Sequence, residues 1–96
     1  MRRDAIVIKR QDNVATAIRD IPAGRMAEVG VGEQSVSVTV GMDISFGHKL
    51  SLRHIRSGEE IIKYGTVIGR ATRDIQPGEH VHVHNVESTR GRGDLA

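Results

Sequence analysis

Short apolar runs, separated by polar segments that carry glycine or proline, set the pattern of this chain. Ala5-Ile6-Val7-Ile8 predicts a first strand, followed by polar Lys9 to Asn13. Val14-Ala15-Thr16-Ala17-Ile18 fits either a strand or a short helical turn capped by Asp12 or Asn13. Val36-Ser37-Val38-Thr39-Val40 alternates at period two, which sets three valines on one strand face, and Gly41 ends it. Asp43 to Lys49 reads as a polar approach to a short alternating strand, Leu50-Ser51-Leu52. Ile61-Ile62 and Val67-Ile68 flank a Tyr64-Gly65 turn. The last regular piece, His80 to Val86, turns Val81 and Val83 one way and His80, His82 and His84 the other. The expectation is a mainly β domain of many short strands, with a short helical turn or two.

A phrase recurs at the turns. Arg19-Asp20-Ile21-Pro22-Ala23-Gly24, Arg53-His54-Ile55-Arg56-Ser57-Gly58 and Arg73-Asp74-Ile75-Gln76-Pro77-Gly78 each place a charged or imidazole-bearing pair before an isoleucine and a glycine three residues after it. The isoleucine anchors in the core while the chain reverses, and the glycine relieves backbone at a position that favours positive φ. The copies start 34 and 20 residues apart, so they do not form a solenoid of fixed period. Recurring corners of a small barrel or clip fit better.

Composition narrows the chemistry. A chain of 96 residues makes one domain or one subunit and buries only about 60–65% of its unfolded surface, too little for a deep cleft of its own. With 38% hydrophobic and 27% charged residues the composition is globular. Phe46 and Tyr64 are its only aromatics besides histidine, which leaves no stacking platform for single-stranded nucleic acid. The net charge of +2 is modest, and arginine carries most of the positive side, a residue suited to gripping carboxylates. There is no cysteine, so thiolate chemistry, thiolate metal sites and disulfides are excluded. Neither a leader nor a membrane-spanning run is visible, and a cytoplasmic location is expected. Walker-type loops, dinucleotide fingerprints and a Ser-His-Asp order are missing, and Arg90-Gly91-Arg92-Gly93 is too short to indicate RNA binding.

The chemistry therefore concentrates in His80-Val81-His82-Val83-His84-Asn85. On a strand, alternate histidines lie about 6.6 Å apart along one face, where neutral imidazoles bind a metal, a carboxylate or a proton. A solvated strand face that happens to use histidine is the bland alternative. Asn85 is suited to orienting a ligand or a hydroxyl group. His48 is a candidate to meet this strand in space. Lys63 is a candidate carboxylate partner, and Tyr64 offers either its hydroxyl to a ligand or its ring to the core.

Asp12-Asn13-Val14-Ala15, Asp20-Ile21-Pro22-Ala23-Gly24, Gly47-His48-Lys49, Lys63-Tyr64-Gly65, Ile68-Gly69-Arg70-Ala71 and Gly78 to Asn85 together resemble the N-terminal part of the altronate and galactarate dehydratase family. The resemblance runs from about Ile6 to Val86. It implies a β-clip-like SAF domain over residues 1–87, with 88–96 as tail or the start of a linker. It further implies a component of a hydro-lyase that removes water from a sugar acid to give a 2-keto-3-deoxy acid. Divalent metal, Fe2+ in particular, is implied as the cofactor, held with or by a large dehydratase subunit or domain.

Carried onto this chain, the resemblance makes His48, Lys63, His82 and His84 candidate catalytic residues. Lys63, Tyr64 and Asn85 become candidate contacts to the sugar-acid carboxylate and hydroxyls, His82 and His84 candidate metal ligands, and His80 a support behind them. Family members continue into a much larger catalytic domain, whereas this chain stops at Ala96, so a separately encoded small subunit or an excised domain is expected. The small subunit of a sulfolactate sulfo-lyase, which eliminates sulfite instead of water, is the alternative enzyme. A carbohydrate- or anion-binding module without catalysis is the alternative of another class. Exposed strand edges leave room for a partner or for oligomers, whereas no nucleic acid or membrane partner is expected.

Overall fold

The chain folds into nine short strands joined by tight corners, seen in a computed structural model that describes residues 3–88. In chain order they are β1 (Ala5–Val7), β2 (Val14–Ala17), β3 (Met26–Val31), β4 (Gln34–Thr39), β5 (Lys49–Ser51), β6 (Glu60–Lys63), β7 (Thr66–Ala71), β8 (His80–Val81) and β9 (Val86–Ser88). A six-stranded sheet runs β4-β3-β1-β2-β5-β8, and a three-stranded sheet runs β6-β7-β9. Among the described residues only the β1–β3 pairing is parallel.

The Val14–Ala17 segment settles as strand β2, and no helix forms among the described residues. Backbone pairing decides the ambiguity, because Val14, Ala15 and Thr16 pair with Ser51, Leu50 and Lys49 of β5. The tail assigned to 88–96 lies, from Thr89 onward, outside the described residues.

The repeated phrase builds corners that pair two by two, and there are four of them among the described residues. The fourth is Met42-Asp43-Ile44-Ser45-Phe46-Gly47, within the segment read as a polar approach. Ile21 and Ile44 exchange both backbone hydrogen bonds at 2.8 Å, and Ile55 and Ile75 do the same at 2.8 and 2.7 Å. All four isoleucines are buried and divide between two core clusters, Ile21 and Ile44 with Leu50 and Val29, Ile55 and Ile75 with Ile61 and Val81. Each corner glycine donates its N–H to the residue that opens the partner corner: Gly24 to Val40, Gly47 to Ala17, Gly58 to Ala71 and Gly78 to Ser51. These four glycines take φ of 81 to 89°, a region that a side chain makes costly. At Gly78 a Cβ would also lie 2.0 Å from the Thr39 carbonyl oxygen.

Side chains cross-brace the corners. Asp20 accepts from the Phe46 N–H, Asp43 from the Ala23 N–H and Asp74 from the Ser57 N–H, each at 2.9 Å. The equivalent donor facing His54 would be residue 77, which is proline and has no N–H. A carboxylate at position 54 would find no such donor, and the imidazole there lies 3.5 Å from Asp74 Oδ2 instead.

Three buried residues lock the chain behind three of these corners. Asp4, Asn13 and Asn85 each offer a side-chain oxygen to the backbone N–H of the fourth residue after a corner glycine: Glu28, Ile62 and His82, at 2.9, 2.8 and 3.0 Å. The same three offer their carbonyls to Ile18, Leu52 and Thr72. Asp12, also buried, accepts from the N–H groups of Lys9, Tyr64 and Gly65 and so fixes the β6–β7 turn. Tyr64 and Gly65 have φ of 57 and 71°, the left-handed pair that a two-residue hairpin requires.

Candidate functional site

The histidines gather where the two sheets meet. His48 directly follows the corner glycine Gly47 and leads into β5, which pairs with β8 through Leu50↔His80 and Lys49↔Val81. At the equivalent position after Gly58 and Gly78 stand Glu59 and Glu79, whose carboxylates turn back to cap their own corners at Arg56 and Gln76. Histidine after Gly47 leaves its ring available, and the ring reaches across to β8. His48 Nδ1 lies 2.9 Å from His80 Nε2.

The expected strand from His80 to Val86 does not form. β8 ends at Val81, and residues 82–85 make a turn that carries the chain into β9 of the other sheet. Asn85 is the cause. Its Oδ1 accepts from His82 N–H at 3.0 Å, its Nδ2 donates to the His80 carbonyl at 2.8 Å, and its own N–H donates to the His82 carbonyl at 3.1 Å. The lock bends the segment, so Val83 does not join Val81 in the core and is 81% exposed.

The turn still brings the imidazoles together, as a stack instead of a row. Ring centroids are 4.7 Å apart for His48 and His82, 5.1 Å for His48 and His80, 5.4 Å for His80 and His82, and 5.3 Å for His80 and His84. Donor atoms of His48, His80 and His82 all lie within 4.8 Å of one another, whereas His84 stands outside that trio. The candidate donor group is therefore built on His80 together with His48 and His82, not on His82 and His84 along one strand face.

Burial pushes the His80 imidazole below its ordinary value, with His48, His84, His82 and Lys49 adding repulsion. Burial, His48, Lys49 and His84 act on His82 in the same direction. Both rings thus favour the neutral form near pH 7, able to accept a proton or a metal ion. Beside them, Lys49, His82, Ile68, Val83, Val86 and Ser88 line an open hollow of about 220 Å³. Burial lowers the Lys49 ammonium from its ordinary value, and Lys63 adds to the shift.

The other sequence candidates sit differently. Asn85 is fully buried with its amide committed to backbone, so it holds the histidine turn and is closed to a substrate hydroxyl. Tyr64 does not pack in the core; it is 51% exposed at the β6–β7 turn, with Lys63 Nζ 4.7 Å from its ring centroid. Lys63 therefore faces an aromatic ring and a second cation, Lys49. Lys49, absent from the sequence-based candidates, lines the hollow. Its signal was its place in Gly47-His48-Lys49, but only the β5–β8 pairing shows which histidines it accompanies.

Comparisons with known proteins agree on the lineage. The chain is 45% identical over 83 residues to an altronate dehydratase of Bacillus subtilis, and equally so to one of Escherichia coli; each match takes in 86% of this chain. It spans only 16% of the length of those two relatives. It is also 38% identical over 93 residues to the (2R)-sulfolactate sulfo-lyase subunit alpha of Chromohalobacter salexigens, covering 94% of this chain and 99% of that one. The sequence profile described as the altronate/galactarate dehydratase SAF domain matches residues 3–89. With its paired glycine corners, all-strand fold and histidine turn inside that match, the chain belongs to the altronate/galactarate dehydratase SAF domain family.

Proposed function

We propose that this chain is the SAF component of a sugar-acid dehydratase and supplies one wall of an active site that a larger subunit or domain completes. The observation that carries this reading is the set of neutral imidazoles beside Lys49 at an open hollow, on a chain of this family. At about 220 Å³ the hollow is smaller than the roughly 300–1,000 Å³ of a complete ligand pocket, so a second wall is needed. Val83, which lines the hollow and is 81% exposed, offers apolar surface for that wall to cover.

Lys49 attracts the substrate carboxylate, with Lys63 adding to the positive field. A neutral imidazole, His82 being the one that lines the hollow, accepts the proton from the carbon next to the carboxylate. The electron pair left behind forms the carbon–carbon double bond as the β C–O bond breaks, and the departing hydroxide takes a proton to leave as water. The resulting enol tautomerises to the 2-keto-3-deoxy acid. The divalent metal implied by the family resemblance fits the chemistry of the donor set, since His48 and His80 present ring nitrogens 2.9 Å apart that would hold it, leaving the His82 lone pair for the proton. When bound it would supply positive charge to the developing enolate.

A second reading has its own support. The match to the sulfo-lyase subunit spans 99% of that protein, so sulfite elimination from a sulfonated hydroxy acid is the alternative reaction. Reconstitution separates the two. The chain is mixed with its large partner and Fe2+, then offered altronate, galactarate and (2R)-sulfolactate, with 2-keto acid and sulfite assayed in parallel. Keto acid from a sugar acid, only when both components are present, is expected. Sulfite from sulfolactate with inert sugar acids overturns the dehydratase reading, and turnover by the chain alone overturns the dependence on a partner.

A further inference from the structure

We propose that two copies of this chain associate edge to edge through β4, antiparallel about a twofold axis at Val36, joining their six-stranded sheets into one. The contact does not depend on which reaction the assembled enzyme performs. β4 is the outer strand of its sheet, and Gln34-Ser35-Val36-Ser37-Val38-Thr39 holds no charged residue. Edge strands that stay single are guarded by lysine, proline or a bulge. β4 has none of these, and it pairs with β3 without a slip from Gln34 to Thr39. A twofold axis sets each residue near its own copy, and an uncharged strand tolerates that.

The register follows from the backbone. Val31 and Gln34 close a two-residue hairpin, so Gln34, Val36 and Val38 bond to β3, a parity that Val40 keeps by donating to the Arg25 carbonyl. The N–H and C=O of Ser35 and Ser37 therefore point outward, with no strand beyond them among the described residues. Thr39 faces the same way, but its carbonyl is closed off by Gly78, where even a Cβ would lie 2.0 Å from it. Setting Ser35 opposite Ser37 of the second copy satisfies the outward groups of both residues. It also places Val36, 45% exposed beside the buried Val29, against its own copy.

Charge favours the same register. On the outer face the Arg3 side chain lies over Gly30, which pairs with Ser35, and donates to the Gly32 and Gln34 carbonyls. A Cβ at Gly30 would come within 2.6 Å of that side chain. Glu28 pairs with Ser37, whose hydroxyl donates to its carboxylate. With Ser35 across from Ser37, Arg3 of one copy and Glu28 of the other share a row, on both sides of the axis. A register centred on Ser37 would set the two Glu28 rows against each other and would need the closed Thr39 carbonyl. β8 and its histidines lie at the opposite edge of the sheet, so the pairing leaves the candidate site open to a larger subunit.

An edge contact this short belongs to the weak class of interfaces, with a dissociation constant on the order of 100 μM. Sedimentation of the full tag-free chain from about 10 μM to about 1 mM should show the mass rise to twice that of the monomer and no further. Val36→Lys, which sets two ammonium groups at the axis, should weaken association by roughly tenfold or more. Glu28→Arg should weaken it about threefold, and Arg3→Glu added to the same chain should restore it. Because the chain has no cysteine, Val36→Cys tests the register. Its Cα atoms would lie about 4.5 Å apart across the axis, within disulfide range, so mild oxidation should link it at least about fivefold faster than Ser37→Cys. Each variant is first shown to melt cooperatively near the parent temperature. The proposal is overturned by a parent that stays monomeric at the highest concentration, by equal crosslinking of the two cysteines, or by a folded Val36→Lys that associates as the parent does. A monomeric parent whose binding to the proposed large partner is lost in Val36→Lys would give the edge to that partner instead.

Discussion

Single buried side chains do more to shape this molecule than any strand. Asp4, Asn13 and Asn85 hold equivalent places, but only Asp4 is charged, and its carboxylate lies 3.2 Å from Arg25 and 3.6 Å from Arg19. Burial pushes the Asp4 carboxyl up, but the Glu28 N–H and the two guanidinium groups outweigh it and hold the group below its ordinary 3.8. Its folded value being the lower one, the stability it contributes is complete above the unfolded value and is lost as pH falls through the folded value. Asp4→Asn keeps the bond to Glu28 N–H, as Asn13 and Asn85 do in their own places, and loses the charge. Because both arginines are partly exposed, the expected cost at neutral pH is only about 1 kcal/mol. Between about pH 5 and 3 the variant should lose less stability than the parent. Denaturant melts at the two pH values measure this, and parallel curves for the two proteins would refute the assigned role.

At the scale of elements, the corner obeys a stricter rule than the phrase first seen in the sequence. Arginine before the corner is dispensable, since Met42 takes its place in the fourth copy, and keying on arginine hid that copy. What the geometry needs is a buried isoleucine, a glycine three residues on, and a bracing side chain only where the partner corner presents an N–H. His54 therefore answers to Pro77. His54→Asp alone should destabilise by about 1 kcal/mol, through loss of the imidazole facing Asp74 and a carboxylate placed near a second carboxylate. Pro77→Ala in the same chain supplies the missing N–H, and the double variant should recover part of that loss despite the freer unfolded chain that alanine allows. A double-mutant cycle by thermal melting reads the coupling, and simple additivity would show that the corners do not communicate in this way. The histidine segment departs from its strand pattern for a related reason. Alternation in His80 to Val86 satisfies a strand pattern, but Asn85 bends the chain through a contact of three residues' range that periodicity does not register.

For the molecule as a whole, sequence pattern was enough for a mainly β domain turned at glycine corners, and the family resemblance sharpened it to an SAF fold. The partners of each strand were not legible, because pairings such as Leu50 with His80 span 30 residues and depend on how both sheets close. Lys49 went unnoticed for the same reason. The site opens outward and is rimmed by Val83, a large apolar side chain with no place in the core. Val83→Asp should leave the melting temperature of the isolated chain within about 2 °C, being a surface change. It should also weaken association with the proposed large partner by roughly tenfold, measured by surface-immobilised titration. Unchanged association would move the docking surface elsewhere.

The turn at 82–85 is also the thread by which the chain passes from the six-stranded sheet into the three-stranded one. Anything that grips these imidazoles therefore draws a stitch tight across the seam of the molecule. Occupancy of the site and cohesion of the fold become two readings of one equilibrium, and a ligand that touches few atoms can stiffen the whole domain.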